Sequence, residues 1–509
     1  MNKMPRPIRV TNTLTGKKEE LKTRVPGKLS FYSCGPTVYG QIHIGNLRAH
    51  LVADLFYRYF MRSGYEVTYV RNYTDVDDKI IQKGKEEGLS AEAVAKKYTL
   101  EIEKDFALAG LLEPTHKTTV TTHIPEIIAM IQALIQRGKA YVVEDGEVLF
   151  SIESFPTYGK LSGKKLEDLI AGIRVEVSQK KRNPMDFTLW KPAKPGEPFW
   201  ESPWGRGRPG WHIECSAMAT RWLGDQIDVH HGGEDLTFPH HENEIAQTEG
   251  ATGKDPYVGY WLHNAFLTLS KEKMSKSLGN VFKARDFLAQ FSGEVARYLL
   301  LSVHYRSIID FGPEAVEGAL NGLQRIYEAK ARALELQNQS RARADLRAEA
   351  AWGSFVASCE KARIEMDEHF ANDFNTAGAL ASLFSLIREF NRTLSEPLAQ
   401  ATPSAVLGAT QLLNVIEEEI GGILGVGRLN PEKLFADFAR IRQTMATLAG
   451  TSSEAPVLTV EEIEAAIQAR AQARGAKKFA EADAIRKDLE SKGVFIKDGP
   501  SGTKWERKI

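Results

Sequence analysis

Cysteine is scarce in this chain: Cys34, Cys215 and Cys359 are the only three in 509 residues. Odd in number and far apart, they argue against a disulfide framework and leave metal binding or catalysis open to them. Net charge is missing as well, 66 Lys plus Arg standing against 66 Asp plus Glu, so any nucleic-acid surface has to be local. No apolar run approaches the length that spans a bilayer. Met1 to Thr23 mixes Lys, Arg, Glu and Thr without the apolar stretch of a secretory signal. A cytoplasmic protein without a membrane partner is therefore expected. The second half of the chain also lacks internal repeats and low-complexity tracts, so a repeat architecture is not expected.

What is present is the composition of a folded soluble protein, 42% hydrophobic and 26% charged. The length is too great for one core, which predicts several domains. From Leu29 to Leu112 an apolar run enters a glycine turn, an amphipathic stretch follows from about Asn46 to Ser63, and Tyr65 to Arg71 resembles another strand. That alternation predicts βαβ units and a parallel sheet. A strand signal returns at Gln226 to His230, so the block from Thr119 to Pro203 reads as inserted, with turns such as Glu144-Asp145-Gly146 and a Lys/Arg/Pro-rich tract around Lys180 to Lys194. Beyond about Gly312 long helical patterns take over, with Leu380, Leu383, Phe384 and Ile387 on one helix face. Cys359, in such a stretch, is expected to be a small buried hydrophobe. Thr459 and Glu462 form a capping box opening a basic helix toward Arg474.

The segment Cys34-Gly35-Pro36-Thr37-Val38-Tyr39-Gly40-Gln41-Ile42-His43-Ile44-Gly45-Asn46 follows a strand and enters a helix. His43 and Gly45 then sit near a helix N-terminus, where free N–H groups and the dipole favour phosphate, and Gly45 allows close approach of a nucleotide. By itself this stretch is equally a plain turn. Much later comes Lys273-Met274-Ser275-Lys276-Ser277, a polar loop with two lysines. The two stretches, in this order, resemble the paired signatures of class I aminoacyl-tRNA synthetases. The resemblance implies that His43 and Lys276 stabilise charge on the ATP phosphates as pyrophosphate leaves, with Lys273 assisting. Asn46 departs from the family pattern, which ends in a second histidine; an amide donates a hydrogen bond but carries no charge.

Pro239-His240-His241-Glu242-Asn243-Glu244 begins with proline at a predicted first helical position, so His240 and Glu244 fall on one face one turn apart. Cys215, in Gly210-Trp211-His212-Ile213-Glu214-Cys215-Ser216, and Cys34 can complete a four-ligand set of thiolate, imidazole and carboxylate, a mixture that suits zinc. Two buried thiols and a surface His/Glu pair are the ordinary alternative. Over nearly its whole length, however, the chain resembles the cysteinyl-tRNA synthetases. That resemblance implies one Zn2+ per chain on Cys34, Cys215, His240 and Glu244, with His241 the weaker candidate. It also implies Trp211 and His230 at the amino-acid pocket, Thr74 at a strand end, and Asp235 after Gly232 and Gly233 in the ATP site. His231 intervenes between the pocket histidine and the glycines, another departure, which leaves the backbone path near the ribose open. For Asp75, Asp77 and Asp78 the expected role is that of helix-start acids.

The implied architecture is α/β: a Rossmann-like parallel-sheet catalytic domain (1–118 and 204–264) with an inserted connective domain (119–203), a lysine-loop linking domain (265–315), an α-helical bundle (316–452) and a small C-terminal anticodon-binding module (453–509). In that module bases such as Arg470, Lys478 and Arg486 interleave with Phe479 and Trp505, a pattern for phosphate attraction and stacking that is also the pattern of a solvated helix. By resemblance Arg474, Phe479, Asp483 and Asp498 read the anticodon, and Asp373-Phe374-Asn375-Thr376 lies in a core helix of the bundle.

The implied reaction uses ATP with Mg2+ to convert L-cysteine to cysteinyl-adenylate, which is then passed to the 3′ end of tRNA(Cys). No protein nucleophile is needed, and a monomer is expected. Cysteine and serine differ by one atom, and shape alone separates such isosteres by only about a hundredfold; a soft metal that takes sulfur as thiolate does better. Two rivals share parts of the pattern. A ligase joining cysteine to an amino sugar resembles the catalytic half but lacks the basic end, and a silent RNA-binding paralog has no need of His43, Lys276 and four metal ligands.

Overall fold

The structure is a computed structural model and describes residues 6–164, 180–269, 272–273, 282–338, 346–395, 402–448, 460–476, 478–491, 494–499 and 502–507. The chain divides into two compact units, Met1–Pro431 and Glu432–Ile509.

The first unit is built on five parallel strands: β1 (Lys28–Ser33), β2 (Glu66–Tyr73), β3 (His116–Thr119), β4 (Ile227–Gly233) and β5 (Val258–Asn264). Their order across the sheet is β5-β4-β1-β2-β3. Leu29, Phe31 and Tyr32 of β1 are all buried, as expected of a strand covered on both faces. The chain runs from β1 toward β2 on one side and finds β4 on the other, Ser33 lying in register with both Arg71 and His231. The crevice beyond the carboxyl ends of β1 and β4 is thus a topological switch point, where open α/β sheets bind ligands.

Helix α1 (Ile44–Arg62) connects β1 to β2, and its Leu47, Leu51, Leu55 and Phe56 are buried. After β3 come a helix, Ile124–Gln136, and four antiparallel strands: Ala140–Val142, Val148–Phe150, Phe187–Pro192 and Gly207–Pro209. The last of these lies past residue 203, because Trp190 pairs with Pro209. The chain re-enters the parallel sheet through α2 (Trp211–Leu223), whose Ile213 and Met218 share a core with Ile131, Leu134 and Trp261.

A strand at Leu267–Leu269 pairs with Ile309–Phe311, and helices Pro313–Asn338, Leu346–Ala371, Thr376–Leu394 and Pro403–Asn414 follow. Their core includes Leu320, Leu323, Phe355, Leu383, Ile387 and Phe390, with Cys359 buried among them. Asp373 and Phe374 do not belong to a core helix as expected; they form the link between two helices, with φ of 65° and 53°. The link is held because Asp373 accepts from the Thr11 N–H and the Tyr305 hydroxyl, each at 2.8 Å, while the Phe374 ring packs on Phe56, its centroid 4.2 Å away.

Asp54 of α1 is buried between two guanidiniums, Arg58 at 2.7 Å and Arg297 at 2.6 Å, and also accepts from the Leu112 N–H. Asp54→Ala leaves both cations buried without their carboxylate, so a loss of about 3–5 kcal/mol is expected. A lower midpoint of chemical denaturation checks it.

The second unit holds helices Val460–Gly475 and Phe479–Ser491 and a hairpin of Val494–Gly499 with Gly502–Arg507. Ile463, Leu489, Val494 and Ile496 form its core. Helix Pro431–Leu448 falls in it except for its first residue. Thr459 of the expected capping box lies outside the described residues.

Candidate functional site

β1 ends at Ser33 and delivers Cys34 to the switch point, where the Gly35 N–H bonds to Asn72 Oδ1 at 2.8 Å. α2 supplies Cys215 one turn from its start. After β4 the backbone is extended at Phe238 (φ −141°, ψ 132°), and the turn that starts at Pro239 runs into α3 (Glu242–Thr252), which brings His240 and Glu244 to the same point. Cys34 Sγ lies 4.0 Å from Cys215 Sγ and 3.6 Å from Glu244 Oε1, and His240 Nε2 is 3.1 Å from that oxygen. Four donors around one zinc stand at tetrahedral edges of roughly 3.8 Å for two sulfurs and 3.3 Å for nitrogen to oxygen. The observed separations fit that geometry.

A second quartet, Cys34, His230, His241 and Glu244, is equally compact. His241 Nε2 approaches Cys34 Sγ at 3.4 Å. Residues three and four before or after a helical position share its face, so Glu244 meets both histidines. The adjacent histidines were visible in the sequence, but which of them faces the thiols depends on where β1 and α2 lie.

The surroundings orient these donors. Glu244 Oε2 bonds His230 Nε2 at 3.0 Å, and His240 Nδ1 lies 3.0 Å from His212 Nδ1. Burial opposes ionisation of Glu244, yet His230 and His240 hold it at about 2. Burial pushes the Cys34 thiol well up. Cys215 is drawn down to about 6, chiefly by its hydrogen bond with Cys34 and, against burial, by His240.

Cys34 also lines a cleft of about 340 Å³, together with His43, Gly45, Asn46, Trp211 and Asp235. His43 is the N-cap of α1: its Nδ1 accepts from the Asn46 N–H at 3.2 Å, and Asn46 Oδ1 accepts from the His43 N–H at 3.3 Å. The departure at Asn46 therefore supplies the returning half of a reciprocal cap. A ring nitrogen that accepts has no proton of its own, so Nε2–H of His43 is left as the donor. A Cβ at Gly45 would stand 2.9 Å from that ring, so the glycine makes room for His43 itself. Gly232 makes room likewise for His241, whose ring a Cβ would meet at 2.6 Å. Gly233 borders the cleft; Gly232 does not.

Thr74 and His230, expected at the pocket, are buried and do not border this cleft. The Thr74 hydroxyl lies 3.3 Å from Glu214 Oε2, its backbone holds Pro36 and Val38, and His230 serves Glu244. Among the aspartates, Asp77 caps the helix Asp78–Glu87 through the Lys79 N–H, Asp75 bonds Thr121, and Asp78 pairs with Lys191. Lys276 lies outside the described residues, and Lys273 is described in backbone only, in a short strand at Glu272–Lys273. In the second unit Arg474 ends one helix and an exposed Phe479 opens the next, which carries exposed Asp483. Asp498 lies in the hairpin, its side chain outside the described set.

Residues 20–321 match the class I (C) tRNA synthetase catalytic domain, 366–428 the DALR domain, and 459–505 the cysteinyl-tRNA ligase anticodon binding domain. Cysteine-tRNA ligase of Geobacter metallireducens is 47% identical over 502 residues, covering 98% of this chain and all of that protein. The chain belongs to the cysteine-tRNA ligase family. Another member, from Thermodesulfovibrio yellowstonii, is 43% identical over 99% of this chain and its own full length. Among solved structures, Mycobacterium tuberculosis methionyl-tRNA synthetase bound by methionyl-adenylate superposes with a TM-score of 0.58 at 13% identity, over 78% of this chain and 92% of the other. At that identity the likeness is one of fold, a class I synthetase fold on the parallel sheet that this cysteine-tRNA ligase family member carries. Among the described residues no helix is long and apolar enough to cross a membrane.

Proposed function

We propose that this member of the cysteine-tRNA ligase family activates L-cysteine with ATP and Mg2+ to cysteinyl-adenylate, releasing pyrophosphate, and transfers the cysteinyl group to the 3′ end of tRNA(Cys). The observation that carries the reading is the set of four donors, one of which, Cys34, borders the cleft that the capped start of α1 also lines. Cys34, Cys215, His240 and Glu244 would hold Zn2+. When bound, the ion supplies a soft Lewis-acid position that accepts the substrate sulfur as thiolate and disfavours serine's oxygen. His230 and His212 fix the orientation of Glu244 and His240, as partners of metal ligands do.

Trp211, 42% exposed at the cleft wall, would bound the amino acid, and Asp235 beside Gly233 would accept from the ribose hydroxyls. His43 donates from Nε2–H to a phosphate oxygen, beside the N-terminal dipole of α1. Lys276, assisted by Lys273, would add cationic charge where pyrophosphate departs. With the carboxylate of cysteine as nucleophile on the α-phosphorus, no protein nucleophile enters. Arg474, Phe479, Asp483 and Asp498 would meet the anticodon. The match to an anticodon-binding domain over residues 459–505 favours tRNA over an amino sugar as acceptor.

Cysteine-dependent ATP–pyrophosphate exchange tests the reading on metal-stripped and zinc-restored protein, followed by charging of tRNA(Cys). Exchange is expected to return with zinc and to prefer cysteine over serine by more than the roughly hundredfold that shape alone provides. Exchange without tRNA charging would transfer the reading to the amino-sugar ligases, and no exchange to a silent paralog.

A further inference from the structure

Arg48 sits one turn into α1, just past the His43–Asn46 cap, and has no exposed surface. A buried guanidinium ordinarily meets a carboxylate. Arg48 meets four backbone carbonyls instead: Nη1 donates to Ala265 at 2.9 Å and Phe266 at 2.6 Å, and Nη2 to Ser307 at 2.5 Å and Tyr305 at 3.4 Å. Burial without a counter-charge draws its pKa down to about 10. An apolar residue would avoid that cost, so what the cation holds in place has to account for its presence.

Ala265 and Phe266 follow directly from β5 and, with Leu267, border the same cleft as Gly45, Asn46 and Ala49 of α1. Arg48 shares these acceptors with neighbours, since Ala265 O also takes the Asn264 side-chain amide at 3.1 Å and Phe266 O the Ile309 N–H at 3.4 Å, but among these donors only the guanidinium comes from α1. The helix capped by His43 thus also grips the segment after β5 that lines the same cleft, and the guanidinium ties the two together. Lysine cannot reproduce this: its three donors diverge from one point, whereas the planar fork of arginine serves four acceptors spread over two segments.

We propose that Arg48 is a positioning residue for ATP, which sets the width of the nucleotide cleft by holding the backbone of Ala265 and Phe266 against the first turns of α1. The inference rests on the reading of this cleft as the ATP site. It separates from a general structural role because the proposed metal donors Cys34, Cys215, His240 and Glu244 come from the end of β1, from α2 and from the start of α3, and the Arg48 hydrogen bonds described reach none of them.

The test compares wild type, Arg48→Lys and Arg48→Met in cysteine-dependent ATP–pyrophosphate exchange, with separate titrations of ATP and cysteine, zinc content and a thermal melt. Loss of one charged hydrogen bond without global damage predicts that Arg48→Lys raises KM for ATP by about tenfold, with KM for cysteine changed by less than about twofold and the zinc retained. Arg48→Met is expected to raise KM for ATP further. Equal rises in both KM values, an unchanged KM for ATP in folded Arg48→Lys, or failure of both variants to fold would each overturn the assignment and leave Arg48 a plain brace. An absence of exchange in the wild type would instead remove the reading of the cleft on which it rests.

Discussion

Replacing Cys215 with serine is expected to abolish zinc binding and to lower cysteine-dependent exchange on the order of a thousandfold, beyond the 10–100-fold that loss of a mere partner of a metal ligand costs. Cys215 is 2% exposed and its sulfur stands 4.0 Å from that of Cys34. A serine hydroxyl there is a harder donor, and it stays protonated near neutral pH, so the donor set loses one of its two soft, anionic members. Cys359→Ser is the matching control: its thiol, buried in the helical bundle and pushed up to about 12 by that burial, is expected to leave zinc content and exchange unchanged. The paired variants His240→Ala and His241→Ala decide between the two quartets. Loss of metal in the first and its retention in the second assigns the ion to Cys34, Cys215, His240 and Glu244. Elemental analysis and exchange read all four proteins, and a Cys215→Ser protein with one zinc and native activity would refute the site.

The second large effect is expected at His43. Removal of one fixed donor aimed at developing charge costs about 10²–10³ in rate, so His43→Asn should lower kcat for exchange by that much while KM for cysteine stays within about twofold. Asparagine is chosen because it remains a good N-cap. It keeps an acceptor for the Asn46 N–H and so preserves the start of α1, whereas the Nε2–H donor disappears. A native kcat in this variant would mean that His43 only caps the helix. His43→Ala, which loses both functions, should add a stability loss of about 1 kcal/mol to the same fall in rate.

The parallel sheet was legible because β1, β2 and β4 announce themselves as apolar runs bounded by turns, each longer or shifted by only a few residues in the structure. The candidate metal donors were legible as types: cysteines are rare here, and His240 and Glu244 are spaced for one helix face. What the sequence could not convey is convergence in space. That His241 lies as near Cys34 as it does, that His230 turns to Glu244 and not to the cleft, and that Thr74 secures the loop after Cys34 all follow from how β4 and α3 pack. Asp373 and Phe374 read as helical because their neighbours are helical; the left-handed backbone is held by partners far away in sequence, among them Thr11, Arg9, Tyr305 and Phe56. Arg48 gave no sign at all, since carbonyl acceptors leave no trace in a residue pattern.

Cys34 and Glu244 stand 210 positions apart in the chain, on either side of the inserted antiparallel strands. During synthesis the first thiol is therefore made long before the carboxylate that completes its set. A nascent chain stopped short of α3 carries Cys34 and Cys215 as two unprotected sulfhydryls. An ion on the proposed four-donor set would find all of its ligands only once both halves of the sheet had joined, and would then tie segments made early to one made late.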